Sequence, residues 1–254
     1  MIKIDLSGKI ALVTGASGEL GRVIATVLAQ GGADVAIHYF RNRERADRLA
    51  LEIKKLDRRA CVVSADLGEA ASVRSMQKEV EKELGAPDII VNNAVSQYVW
   101  KPVLEQAIED YESQFQTCVL QNVLMTQTFV PAMIRKKWGR VIAINTECAM
   151  QNFPTQSAYV AGKRGMDGIL RVLAREIGPH GITVNQVAPG WTISERDRLN
   201  GTEQQPDYDK NVPLRRRGED IEIAHAVAFL ASDLASFITG TYLPVCGGNI
   251  MPTI

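Results

Sequence analysis

The chain has 254 residues, 46% hydrophobic and 23% charged, with 29 basic and 29 acidic side chains. This fits one large α/β domain with a sizeable core, and the cancelled charge gives no reason to expect nucleic acid or a membrane as partner. Four scattered cysteines (Cys61, Cys118, Cys148, Cys246) and three distant histidines (His38, His180, His225) show no metal-ligand spacing, so no metal is expected and a reducing, cytoplasmic setting is the simplest compartment.

Near the N-terminus Asp5 stands where a signal peptide would carry its apolar core, so none is expected. Apolar runs at 9–14, 34–37, 60–63, 88–91, 140–144, 182–187 and 242–245 are strand-sized and too short to cross a bilayer. Their continuity fits parallel strands covered on both faces. Helical periodicities lie between them. Ala46, Leu49, Ala50, Ile53 and Leu56 form one stripe, and Val73, Met76, Val80 and Leu84 another. Alternating βα units predict a Rossmann-type, doubly wound, mostly parallel seven-stranded α/β sheet with helices on both faces. No linker or repeat divides it, so residues 1–254 read as a single domain. One loop-like insert, 191–213, holds Gly201, Pro206 and Pro213 and reads as a substrate loop.

The segment Thr14-Gly15-Ala16-Ser17-Gly18-Glu19-Leu20-Gly21 follows the first strand and opens a helix. Glycines there let the backbone turn and approach a pyrophosphate resting on the helix N-terminus. Gly15, Ser17, Gly18, Leu20 and Gly21 are therefore candidate cofactor contacts, although the spacing departs from the usual dinucleotide fingerprint. The second strand ends in Tyr39-Phe40-Arg41-Asn42-Arg43, with no carboxylate until Glu44. An NAD ribose would want a carboxylate here, whereas arginines suit a 2′-phosphate. NADP(H) is favoured and NAD(H) is second, with Tyr39, Arg41 and Asn42 as contacts; the alternative is a solvated helix start. Asp66, beside Leu67, either accepts from an adenine amino group or caps a helix. Asn92-Asn93-Ala94 follows the fourth strand, at the edge where such sheets bind ligands.

Tyr159 and Lys163 stand four apart on a predicted helix, about 5–6 Å apart at Cβ. An ammonium there lowers the tyrosine pKa from about 10 and poises it as an acid/base. Taken alone, the pair also fits a surface tyrosine beside a solvated lysine.

In this order the motifs resemble the single-domain short-chain dehydrogenase/reductase family over the whole chain. Pro189-Gly190 after the sixth strand and the run from Phe229 through Gly240 to Gly248 share the likeness. The wording of the tail is nearest to 3-oxoacyl-carrier-protein reductase-like members. The resemblance implies that Tyr159 is the acid/base and that Lys163 tunes it and holds the nicotinamide ribose. It makes Thr146, thirteen residues before Tyr159, the donor to the substrate oxygen. Pro189, Gly190 and Thr192 would border the nicotinamide. Asn92 and Ala94 belong to the same site. The substrate would be a small-molecule carbonyl or alcohol, in a pocket including Ser96, Gln97, Tyr98, Cys148, Gln151, Trp191 and Tyr208. A homotetramer or homodimer built on helices around 118–137 and 157–177 is also implied.

Several positions depart from the family pattern. Glu19 replaces a glycine and either points outward, complementing the helix dipole, or crowds the pyrophosphate. Cys118 stands where the family has an asparagine that helps hold a proton-relay water. Asn122, one turn on, is either a partial replacement or an ordinary exposed asparagine. Val95 and Cys246 replace further family residues. These departures keep a second reading open, a nucleotide-binding relative with weak or lost catalysis.

Overall fold

The computed structural model describes residues 3–252. Seven strands form the central sheet: β1 (Ile10–Val13), β2 (Asp34–Tyr39), β3 (Ala60–Ser64), β4 (Ile89–Asn92), β5 (Gly139–Ile144), β6 (Ile182–Pro189) and β7 (Tyr242–Val245). Their order is β3-β2-β1-β4-β5-β6-β7, and every neighbouring pair is parallel. Each expected strand is present. The chain winds outward from β1 to β3, then returns to β4 on the other side of β1. That reversal opens a crevice beyond the carboxyl ends of β1 and β4.

The helices are α1 (Glu19–Gln30), α2 (Arg43–Lys54), α3 (Ala70–Glu83), α4 (Ile108–Gln114), α5 (Gln121–Lys136), α6 (Cys148–Gln151), α7 (Ser157–Ile177), α8 (Glu195–Asn200), α9 (Pro206–Asp209) and α10 (Asp220–Ala231). Among the described residues none is long and apolar enough to cross a membrane. Strand side chains alternate between two apolar layers, as a pleat requires. Ala11 and Val13 join α1, α2 and α10 on one face. Leu12 joins α3, α5 and α7 on the other. Both faces are covered, which explains why the strands read as continuous apolar runs.

Two expectations need correction. Helix α2 ends at Lys54, so Leu56 falls beyond it and is exposed rather than completing the stripe. The 191–213 segment is not irregular. Ser194 and Asp197 form a reciprocal capping box at α8. Thr192–Ile193 pairs with Gly218–Glu219 in a separate two-stranded ladder. Buried Arg217 braces the whole segment, donating to Asp197 Oδ2 (2.8 Å), Thr192 O (2.9 Å) and Thr202 O (3.0 Å). These partners lie 15 to 25 residues from Arg217, out of reach of any local pattern.

Helices α4 and α5 join through a π-helical stretch, Phe115–Leu120. Helix α7 packs against it at Gly162. A Cβ there would lie 2.9 Å from the Gln114 carbonyl oxygen and 3.2 Å from Cys118 Cβ. Gly162→Val should therefore destabilise the protein by about 1–3 kcal/mol through overpacking. A thermal melt reads this as a drop of several degrees; an unchanged melt would mean that the two helices do not meet here.

Candidate active site

The glycine loop is held from beneath. The Thr14 hydroxyl accepts from the N–H groups of Asn93 (2.8 Å) and Ala94 (3.0 Å). Asn93 Nδ2 donates to Thr14 O (2.9 Å). Gly15 N donates to His38 Nδ1 (3.0 Å), so the His38 proton sits on Nε2 and points to Ala65 O at 3.0 Å. Gly15 has a φ of 62°, and a Cβ on Gly21 would stand 2.4 Å from Gly15 O. Only glycine fits that approach.

Above the loop lies a cleft of about 960 Å³. Gly15, Ser17, Gly18, Leu20 and Gly21 line it, with Arg41, Asn42, Ala94, Lys163, Pro189 and Gly190. Gly18 caps α1 without a side-chain bond, which leaves the first-turn N–H groups to an anion. The donors and the glycine cradle thus fit a dinucleotide pyrophosphate. Glu19 lines the same cleft. Arg43 pairs with Asp47 (3.4 Å), whereas Arg41 has no carboxylate partner among the described residues. The Asn42 side chain caps α2, accepting from Arg45 N (3.0 Å).

Tyr159 and Lys163 lie on α7, with Lys163 Nζ 5.7 Å from the Tyr159 ring centroid. The ammonium does not lower the phenol's pKa as the spacing suggests. Burial pushes Tyr159 up, reinforced by nearby Cys148, and a hydrogen bond from Thr146 only opposes this. Burial also lowers Lys163, whose Nζ donates to Ile144 O at 2.5 Å. Both groups are driven toward neutrality. Thr146 is set by Asn145, whose Oδ1 accepts from Thr146 N (2.9 Å). Asn145 Nδ2 reaches Gln186 Oε1 (2.6 Å) and Lys163 O (3.3 Å).

Behind Lys163, Asn122 is fully buried, not exposed. It accepts from Asn92 Nδ2 (2.7 Å) and donates to the Cys118 carbonyl (2.7 Å). Its amide therefore occupies the carbonyl of the departing residue within the π stretch. The Cys118 thiol is raised by burial.

A second cavity, about 540 Å³, adjoins the cleft. Ser96, Gln97, Tyr98, Cys148, Gln151, Trp191 and Tyr208 all line it. Ser96, Gln97, Thr146, Tyr159 and Gly190 border both cavities. Trp100 stacks on Tyr159 at 6.2 Å between centroids. Glu147 is buried in the wall; Tyr208 Oη donates to its Oε1 (2.8 Å) and Asn249 Nδ2 to its Oε2 (3.0 Å).

Five expected cofactor contacts are not among the residues that line the cleft. Asn92 turns into the interior toward Asn122, and its neighbour Asn93 takes the place at the cleft. The Leu67 side chain packs in the core. Tyr39 packs against the other apolar layer. Asp66 is exposed and does not cap α3, whose N-cap is Glu69; its Oδ1 accepts from Gly68 N (2.9 Å) in a local turn. Thr192 lines the second cavity rather than the cleft. His38, Asn145 and Glu147 were not anticipated, and Asn93 only as the middle of the motif after β4. Only the placement of Asn93 and Asn145 at strand ends hinted at them.

A family model described as enoyl-(acyl carrier protein) reductase matches residues 15–249. A 3-oxoacyl-[acyl-carrier-protein] reductase of Staphylococcus epidermidis is 34% identical, covering 96% of this chain and 99% of that protein. Two solved structures each superpose with a TM-score of 0.88 at 32% identity. One is the promiscuous reductase LugOII, which catalyses keto-reduction at C1 during lugdunomycin biosynthesis; it covers 97% of this chain and 99% of its own. The other is a blue fluorescent protein from a metagenomic library in complex with NADPH, covering 97% and 100%.

The buried histidine makes stability pH-dependent. Burial holds the folded pKa of His38 below 6.5, so below about pH 6.5 the unfolded chain binds a proton that the folded chain refuses. This contribution is present above pH 6.5 and is lost as pH falls. Melts from pH 7.5 to 5.5 should show the decline in the wild type and a shallower one in His38→Gln. Equal slopes would remove His38 as the cause.

Proposed function

The chain belongs to the short-chain dehydrogenase/reductase family, a nicotinamide-dependent oxidoreductase family, and on that premise we propose that it is an NADP(H)-dependent reductase of ketone or 3-oxo substrates with Tyr159 as proton donor. The observation that carries this is the position of Tyr159 and Thr146, whose side chains border both the nucleotide cleft and the adjoining cavity. A carbonyl at that junction meets cofactor on one side and two hydroxyls on the other.

The nicotinamide, when bound, supplies a hydride to the carbonyl carbon or takes one back from the alcohol. Thr146 donates a hydrogen bond to the carbonyl oxygen and so polarises it. Tyr159 delivers its phenolic proton to that oxygen as negative charge develops there. Burial raises the phenol's pKa, which suits a proton donor. Lys163, one turn on along α7, is the nearest group able to return a proton to the resulting phenolate. Arg41, without a carboxylate partner among the described residues, supports NADP(H) over NAD(H) by charge-assisted contact with a 2′-phosphate. The aligned N–H groups of α1 would take the pyrophosphate, against repulsion from Glu19.

Glu19 and Cys118 favour the second reading, a nucleotide-binding relative with weak catalysis. NADPH fluorescence titration followed by cofactor oxidation against a ketone panel separates the two. Absence of NADPH binding at millimolar levels sinks the reductase; binding without turnover favours the second reading.

Two substitutions test the roles. Tyr159→Phe should lower turnover by about 10²–10⁴-fold while NADPH affinity stays within a factor of about two, and an active variant would show that the donor is another group. Arg41→Ala should weaken NADPH binding by roughly 10–100-fold, the worth of a charge-assisted hydrogen bond, and leave NADH nearly unchanged. Equal losses for both cofactors would show that Arg41 does not read the 2′-phosphate.

A further inference from the structure

The cavity beside Tyr159 is one-sided in its polar chemistry. Among the described residues its one charged side chain is Glu147, and no lysine, arginine or histidine lines it. Glu147 is 3% exposed and makes no ion pair among the described residues, and burial raises its pKa. Each of its oxygens receives one hydrogen bond, from Tyr208 and Asn249, and a carboxylate accepts about four. Acceptor capacity therefore remains.

Gln156 makes an independent second case. It is 8% exposed, lines the same cavity, and its Oε1 has no hydrogen-bond partner. A buried acceptor without a donor is unfavourable and rare. Aromatic side chains make up much of the remaining wall. Trp100, Phe153 and Trp191 are exposed, and Tyr208 meets Trp191 edge-on at 5.5 Å. Aromatic faces receive rings and cations alike.

We propose that Glu147 and Gln156 form a donor-reading end of the substrate cavity, so that the ketone reduced here carries a hydrogen-bond donor, an ammonium or a hydroxyl, close to its carbonyl. This rests on the reductase reading and narrows it. A ketone with a carboxylate at that position meets a buried like charge and is rejected. A ketone with a methyl there leaves the Gln156 oxygen unpaired and is used less well.

The test uses the full chain with NADPH and four phenyl ketones that differ in one group. They are 2-aminoacetophenone, 2-hydroxyacetophenone, propiophenone and benzoylacetate. In each reaction the ketone takes a hydride from NADPH and a proton from solvent through Tyr159, giving the secondary alcohol and NADP⁺. The amino or hydroxy ketone should exceed propiophenone in kcat/KM by about tenfold or more, the worth of one paired acceptor, with benzoylacetate last. Preference for the amine assigns the reading to the charge of Glu147, and preference for the hydroxyl assigns it to Gln156. Glu147→Gln should lower the preference for the amine, and Gln156→Leu that for the hydroxyl. Each should act mainly through the KM of the donor-bearing ketone, with the kcat for propiophenone moving much less. A variant that lowers kcat for all four ketones alike would mark a structural role and overturn the assignment. Propiophenone or benzoylacetate as the best substrate would overturn the inference while leaving the reductase reading intact. NADPH binding with no oxidation by any of the four, nor by the broader panel, would end both.

Discussion

Asn145 is the point on which the site depends. It follows β5, is buried, and its amide meets three elements at once. Its oxygen fixes the Thr146 backbone, and its nitrogen reaches β6 through Gln186 and α7 through Lys163 O. Gln186 in turn donates to Asp167, one turn beyond Lys163 on α7 (2.7 Å). A helix packed on a sheet by apolar contact alone can slide with little penalty. Directional hydrogen bonds at a strand end remove that freedom and set the helix in register with the sheet. The separation between the Thr146 and Tyr159 hydroxyls follows from this bracket rather than from either residue.

Burial and charge compete around the tyrosine, and burial wins. Two groups four apart on a helix suggest mutual electrostatic stabilisation, but that presumes water around them. Here the lysine nitrogen is buried and spent on the Ile144 carbonyl, while Tyr159 is half-buried where the two cavities meet. Desolvation disfavours each charged form. A neutral phenol next to a lysine of weakened basicity is a proton donor in waiting.

The seven strands were legible because an all-parallel sheet covered on both faces leaves uninterrupted apolar runs. The Tyr159 and Lys163 pair was legible as two side chains one helix turn apart, whereas Thr146 was named only through the family resemblance. What escaped notice depends on long-range contact. Asn93 faces the cleft and Asn92 faces inward because pleating sends neighbouring side chains to opposite faces, and the choice between them is set by Asn122, thirty residues away. Arg217 is the buried strut of the 191–213 segment, with partners 15 to 25 residues away. Glu147 is held by Asn249, 102 residues on.

The π stretch between α4 and α5 places one more residue in a turn than an α-helix would hold. The preceding helix is thereby rotated relative to the one that follows. Gln114 donates to Ser96 O (2.9 Å) at the mouth of the cleft, and Tyr111 Oη meets Ser157 Oγ (2.7 Å) at the start of α7. Deleting one residue from this stretch would restore regular winding and swing α4 by about 100°. Both contacts would then face away from the site, although no residue that makes them had changed. Chain length through this one turn is thus a coordinate of the active site in its own right, and an insertion or deletion there acts as a rotation.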